Sequence, residues 1–245
     1  MGEAAAMSTP PQKLRHINNW LFDLDNTLYP ATCNLQQQMS VQAQRLFCEL
    51  LGTSTQQARE LQRTYMREYG TPLHGLIKHY GVTPEIYFNY IHDVDYLVVK
   101  SNPALKLALE GLQGRKFVFT NGTADHADRV LKRLGCAAQF DDIFDIVAAD
   151  YAPKPDVAVY RRVAEAVGGK LSSIALVEDV PDNLRPAAAL GMTTVWIRNA
   201  SEFSHGKVGE HIHIIADDLV SWLKEVISAQ ISSLRAGSTH DIDKR

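Results

Sequence analysis

No apolar run in this chain approaches the roughly 20 residues that a membrane-spanning helix requires. Nor is there an excess of charge of either sign. The net charge is -3, so nothing draws the chain as a whole to nucleic acid or to an anionic membrane surface. Three cysteines, Cys33, Cys48 and Cys136, are too few and too scattered for a disulfide framework or a zinc knuckle. They suit a reducing cytosol, where buried thiols are ordinary, and a cytoplasmic location is expected. There is no phosphate-cradling Gly-x-x-x-x-Gly-Lys-Ser/Thr loop, because Gly168-Gly169-Lys170 runs into Leu171 and lacks the first glycine. A Gly-x-Gly-x-x-Gly fingerprint and internal repeats are also missing. Residues 1–13 lack the apolar centre of a signal peptide, and residues 231–245 are rich in Ser, Asp, Lys and Arg. Both ends are expected to be frayed.

What is present is the balance of a globular protein. Hydrophobic residues make up 45% and charged residues 22%, enough to build a sizeable core without disulfides or a structural metal. Six short apolar runs, at 20–23, 116–120, 146–148, 174–177, 193–197 and 212–215, read as strands. They are nearly continuous and rich in Val, Ile and Phe, as strands covered on both faces must be. Segments of helical period at 124–134, 157–167, 183–190 and 217–229 lie between them, and Gly135, Gly168 and Gly191 stand as helix stops. This alternation predicts an α/β fold with a doubly wound, Rossmann-like parallel sheet, in which ligands bind at the carboxyl ends of the strands. Residues 30–101 break it, with helical patterns at 35–51, 55–69 and 84–91 and no convincing strand. A crossover needs only about 12 residues. The expected organisation is a core from 14–29 and 102–230, with an inserted α-helical cap at 30–101.

The first four strands are each followed by residues able to do chemistry. The first ends in Asp23-Leu24-Asp25-Asn26-Thr27-Leu28, the second in Thr120-Asn121-Gly122. Lys154-Pro155-Asp156 comes just beyond the third, and the fourth ends in Glu178-Asp179 with Asp182 behind. Alternation along a strand would point Asp23 and Asp25 into one pocket. Taken singly, each motif has an ordinary structural meaning: a solvated turn, a Thr-Asn-Gly turn, a helix start with Pro155 in its first turn, a helix cap. Four of them in strand order at matching ends describe an active site. His211 and His213 flank Ile212 but lack carboxylate or thiol partners, and no metal role is expected of them.

The order Asp-x-Asp-x-Thr-Leu, Thr-Asn-Gly, Lys-Pro, Glu-Asp-x-x-x-Asn resembles the haloacid dehalogenase superfamily of hydrolases, over residues 18–223. The resemblance implies Asp23 as nucleophile and Asp25 as general acid/base. It implies that Thr120, Asn121 and Lys154 bind the phosphate, with Lys154 balancing its charge against Asp23. Mg²⁺ would be held by Asp23, Asp179 and the Asp25 backbone carbonyl, with Glu178 assisting. The chemistry is coherent: a carboxylate attacking a phosphate monoester needs its charge offset, and the departing alkoxide needs a proton. A dehalogenase expels halide, which needs neither proton nor metal. Asp25 and Asp179 therefore favour phosphoryl transfer.

The cap should choose the ester. Tyr65-Met66-Arg67-Glu68-Tyr69-Gly70, with His74-Gly75-Leu76 after a short loop, resembles the pyrimidine 5′-nucleotidase branch. That resemblance implies hydrolysis of nucleoside 5′-monophosphates such as UMP and CMP. Tyr65 and Tyr69 share a helical face, which could shape a nucleoside pocket with Arg67 or His74, or could be cap core packed on Leu61. A sugar-phosphate phosphatase or phosphomutase (β-phosphoglucomutase-like) on the same core is the alternative, and a non-catalytic binding protein a remote one. The expected partner is a small phosphate monoester, not nucleic acid or membrane. The sequence leaves the oligomeric state open.

Overall fold

The computed structural model of the protein describes residues 14–201, 204 and 208–240. Among these, six parallel strands form one sheet in the order β3-β2-β1-β4-β5-β6. They are β1 (Asn19–Phe22), β2 (Arg115–Phe119), β3 (Asp142–Phe144), β4 (Ile174–Glu178), β5 (Thr193–Ile197) and β6 (Ile214–Ala216). The chain leaves β1 for β2 and β3 on one side, then returns to β4 on the other. Strand order therefore reverses at β1, which opens a crevice at its carboxyl end. Helices α5 (Pro103–Gly111), α6 (Ala124–Leu134), α7 (Val157–Val167), α8 (Pro181–Ala189) and α9 (Leu219–His240) cover the sheet.

Side-chain alternation along β1 divides the core in two. Trp20 and Phe22 join a buried cluster with residues of α5, α6 and α9, including Leu109, Val130 and Leu223. Leu21 joins the opposite cluster with Phe117, Phe119 and residues of α7 and α8 such as Tyr160 and Leu184. The nearly apolar strands found in the sequence follow from this double coverage.

The insert forms four helices: α1 (Leu35–Leu51), α2 (Thr55–Tyr69), α3 (Pro72–Tyr80) and α4 (Pro84–Ile91). They enclose a third cluster around Phe47, Tyr65, Leu76 and Phe88. Their starts are written in side-chain chemistry. Ser54 and Gln57 close a capping box on α2, and Thr71 and Thr83 cap α3 and α4 just ahead of Pro72 and Pro84.

Three expectations need correction. The third strand is Asp142–Phe144, not 146–148, which forms a turn. Ile146 is buried in the helical insert's cluster while Val147 is exposed, so this apolar run serves a contact between insert and sheet edge. Helix α3 was not anticipated; the Thr71 cap and Pro72 start it, and Gly75 stands in it where the Tyr65 ring leaves no room for a larger side chain. The last helix continues to His240, well beyond 229. Ser228 and Ser232 lie within it, their hydroxyls donating to the carbonyls of Lys224 and Ser228 four residues back. Residues 1–13 and 241–245, expected to be frayed, lie outside the described residues.

Candidate active site

The register of the central strands assembles the site. Phe22 pairs with Val118 on one side and Val177 on the other, so the next residue, Asp23, stands level with Phe119 and Glu178. Its backbone N–H donates to the Val177 carbonyl at 2.8 Å. Alternation places Asp23 and Glu178 on the face covered by α7, and Lys154 arrives from the loop leading into that helix. Its ammonium donates to Asp23 Oδ1 at 2.6 Å, to Glu178 Oε2 at 2.6 Å and to the Phe119 carbonyl at 2.9 Å. All three of its hydrogens are used, and the side chain is 2% exposed.

Asn121 fixes this lysine. Its carboxamide accepts from the Lys154 N–H at 2.8 Å and donates to the Lys154 carbonyl at 3.3 Å. Its side chain is therefore taken up in holding Lys154, whereas the sequence suggested that it binds substrate. Thr120, buried at the end of β2, accepts the Gly122 N–H on Oγ1 at 2.9 Å. Thr27 donates to Asp23 Oδ2 at 3.1 Å.

Asp23, Glu178 and Asp179 offer oxygens that all lie within 4.8 Å of one another. Lys154 pairs with two of these three buried carboxylates, and full ionisation of all three would leave an excess of negative charge. Burial and the charge of Glu178 push Asp23 up to about 7, against the pull of Lys154. Burial, Glu178 and Asp23 together push Asp179 well above the carboxylate range. An all-oxygen donor set with excess negative charge fits a hard divalent cation such as Mg²⁺. Glu178 is the least free of the three. Oε2 is held by Lys154, and Oε1 accepts the N–H groups of Asp179 and Val180. Asp182 lies at the margin of the same cavity, in an exposed pair with Arg185 at 2.8 Å, and is not one of the clustered carboxylates.

Asp25 departs from the expected strand geometry. β1 ends at Phe22, and Asn26, at φ +60°, turns the chain sharply. The Asp25 carboxyl consequently swings toward α6 instead of continuing the face of Asp23. Its Oδ1 accepts from the Tyr29 hydroxyl at 2.5 Å and from His126 Nε2 at 2.9 Å. Burial opposes its charge, but His126, Tyr29 and His92 outweigh it and hold Asp25 below its ordinary value. Both aspartates still line one cavity of about 690 Å³ beneath the helical insert. Arg67, Leu73, Tyr87, Phe88 and Tyr151 line the same cavity. A larger cleft of about 1200 Å³ opens elsewhere along the seam, beside Arg45, Glu85 and Arg129, and holds none of Asp23, Lys154, Glu178 or Asp179.

The cap residues singled out in the sequence separate. Tyr65 belongs to the core of the inserted helices, packed on Phe47 with ring centroids 5.7 Å apart and stacked on His79 at 5.5 Å. A Cβ on Gly75 would fall 2.2 Å from the Tyr65 ring, which explains the paired Tyr and Gly of that segment. Tyr69 and His74 face a different recess with Pro153 and Pro155. Of the four, only Arg67 lines the cavity that contains Asp23.

His126, Tyr29 and Asn199 were not anticipated. His126 carried a readable signal, since it occupies the buried stripe of α6 with Ala127, Val130 and Leu131. Asn199 did not. It lies beyond β5 and reaches back to Asp179 Oδ2 at 3.1 Å and to the Asn26 carbonyl at 3.0 Å.

This arrangement has known relatives. Residues 17–191 match the family described as haloacid dehalogenase-like hydrolase. The chain belongs to the haloacid dehalogenase-like hydrolases. It is 32% identical over 193 residues to Phosphate metabolism protein 8 of Saccharomyces cerevisiae, covering 71% of this chain. It spans 59% of the length of that relative. Among solved structures it resembles a HAD phosphatase from Thermococcus onnurineus, with a TM-score of 0.59 and 19% identity, covering 87% of this chain and 99% of the other. It also resembles the L-2-haloacid dehalogenase of Xanthobacter autotrophicus with chloropropionic acid covalently bound, with a TM-score of 0.56 and 14% identity, covering 86% and 98%. At these identities the likeness is one of fold, and it spans both phosphatases and dehalogenases. Among the described residues no helix is long and apolar enough to cross a membrane.

Proposed function

We propose that the protein is a Mg²⁺-dependent phosphatase acting through an aspartyl-phosphate on Asp23, with a pyrimidine nucleoside 5′-monophosphate such as UMP or CMP as its substrate. The observation that carries this reading is the buried cluster of Asp23, Glu178 and Asp179 around Lys154, with Asp25 on the same cavity. Asp23, Asp179 and the Asp25 carbonyl are the groups that would hold Mg²⁺, which when bound supplies positive charge between nucleophile and phosphate. Residues 30–101 act as the cap over a core of 14–29 and 102–230.

In this reading Asp23 attacks phosphorus, its carboxylate oriented by Lys154 on Oδ1 and by Thr27 on Oδ2. The Lys154 ammonium and the Thr120 hydroxyl meet the charge on the phosphoryl oxygens, with Asn121 fixing Lys154. Asp25 gives a proton to the departing 5′-alkoxide and later takes one from the water that hydrolyses the aspartyl-phosphate. Its lowered pKa keeps Asp25 ionised, the state the second task requires. An entering phosphate dianion raises that pKa and favours the first. A cavity of about 690 Å³ with aromatic walls from Tyr87, Phe88 and Tyr151 and a cation at Arg67 suits a nucleoside monophosphate.

The test is a panel of phosphate monoesters with Mg²⁺. UMP and CMP are expected to be hydrolysed with higher kcat/KM than sugar phosphates, and Asp23→Asn to abolish phosphate release. Equal or better turnover of sugar phosphates refutes the nucleotide assignment. Full activity of Asp23→Asn refutes the mechanism.

A further inference from the structure

The imidazole of His126 is completely buried, yet every edge of it meets a polar or aromatic group. Nε2 lies 2.9 Å from Asp25 Oδ1, and since a carboxylate only accepts, Nε2 carries the hydrogen of that bond. Nδ1 lies 3.0 Å from the Tyr96 hydroxyl. The His92 ring stacks on it with centroids 4.5 Å apart and planes 9° from parallel. Beneath it is Gly122, where an added Cβ would come within 3.0 Å of His126 Cδ2. Among the described residues no hydrogen bond or ion pair joins Tyr96, His92 or Gly122 to Asp23, Lys154 or Asp179.

What it grips in turn is asymmetric. Tyr29 and His126 both donate to the same oxygen of Asp25. Oδ2 has no protein hydrogen-bond partner among the described residues, and Asp25 lines the cavity. Two donors on Oδ1 disfavour a proton there, so a proton carried by this carboxyl belongs on Oδ2. The turn at Asn26 has carried Asp25 out of the sheet, so no strand partner fixes its direction. The donor from α6 replaces that constraint.

We infer that His126 is a positioning residue for proton transfer, aiming Oδ2 of Asp25 at the leaving oxygen by anchoring Oδ1. This rests on the reading of Asp25 as general acid/base. His126 itself touches no substrate. Its loss leaves the nucleophile, its lysine and the phosphate contacts intact. The effect should therefore depend on how much the leaving group needs a proton: large for an alkoxide, small for p-nitrophenolate, which departs unprotonated.

The experiment measures first-turnover release of the leaving group with enzyme in excess and Mg²⁺ present, from UMP and from p-nitrophenyl phosphate. His126→Leu is expected to slow uridine release about 100-fold, the lower end of what general acid catalysis contributes. Release of p-nitrophenolate should fall less than about threefold on the same reasoning. His126→Gln, which keeps an N–H donor, should recover most of the uridine rate. Asp25→Asn should show the same leaving-group selectivity as His126→Leu, more strongly. Equal losses on both esters, no loss on either, or no difference between Leu and Gln at position 126 would overturn the inference while Asp25→Asn remains selective. If Asp25→Asn is itself unselective, the acid/base reading of Asp25 fails, and the inference with it. If the native protein releases nothing from UMP, the nucleotide assignment fails and phenyl phosphate, with its more basic leaving group, takes the place of UMP. Release from none of the three esters overturns both.

Discussion

Replacing Lys154 by methionine removes the ammonium paired with buried Asp23 and Glu178 beside Asp179, and the consequence can be worked from the contacts. Lys154 makes two ion pairs of 2.6 Å and is 2% exposed at its side chain, so solvent does not screen them. Deleting one partner of a buried ion pair costs about 3–5 kcal/mol, because the remaining charge stays desolvated. For a chain of this size that lowers Tm by roughly 6–20 °C. The loss must depend on pH. Lys154 is among the groups that restrain the Asp23 pKa, already about 7, and without it the folded protein holds a proton in this cluster to higher pH. The unfolded carboxylates ionise near pH 4. The folded variant therefore binds more protons than the unfolded chain at neutral pH, and its stability falls as pH rises. One retained proton is worth about 1.4 kcal/mol per pH unit, and native Asp23, at about 7, already gives up about half of that between pH 6 and 8, so the deficit should be roughly 1.4 kcal/mol smaller at pH 6 than at pH 8. Thermal or urea denaturation of native and variant protein at the two pH values, without divalent cations, measures this. A Tm loss below about 3 °C at pH 8, or a loss independent of pH, would refute the view that Lys154 neutralises this cluster.

Three further outcomes follow from the same structure. Adding Mg²⁺ to the metal-free native protein should raise its stability by about 2.7 kcal/mol at a concentration 100 times Kd, while Asp179→Asn should largely lose this gain in a calorimetric melt. Gly75→Ala puts a Cβ 2.2 Å from the buried Tyr65 ring, so α2 and α3 must separate. A cost of about 1–3 kcal/mol is expected, with amide exchange accelerating first in the four inserted helices. The third concerns His92, whose pKa is pushed down to about 3 by burial and by the charge of His126. As pH falls below 6.5 the unfolded chain takes up this proton before the folded one, so stability declines by up to about 1.4 kcal/mol per unit until about pH 3. His92→Phe should flatten that slope in urea titrations between pH 7 and 5. An unchanged slope would show that His92 is not the group resisting protonation.

The architecture was readable because parallel strands covered on both faces are written as apolar runs, and the chemistry follows directly at their ends. Helices 124–134 and 157–167 stop at glycines and start at caps, so their limits in sequence and structure coincide. The misplaced third strand shows where that logic stops. An edge strand of three residues needs little hydrophobicity, and a stronger apolar run at 146–148 was buried for another purpose. In the same way the aromatic pair of α2 looked like a ligand platform, because a helical face shows which residues cluster but not what packs against them. Gly75 decided that Tyr65 belongs to the interior of the insert.

The amino-acid order alone determined which chemical groups this protein possesses and roughly at which edge of the sheet they gather. Backbone periodicity is local, and that edge is local to each strand. Only the tertiary structure decided how the groups are divided. Strand register set Asp23 and Glu178 on one lysine, while a turn at Asn26 sent Asp25 to a histidine 101 residues away. Contacts across such distances depend on where helices pack, and no spacing within a motif encodes that.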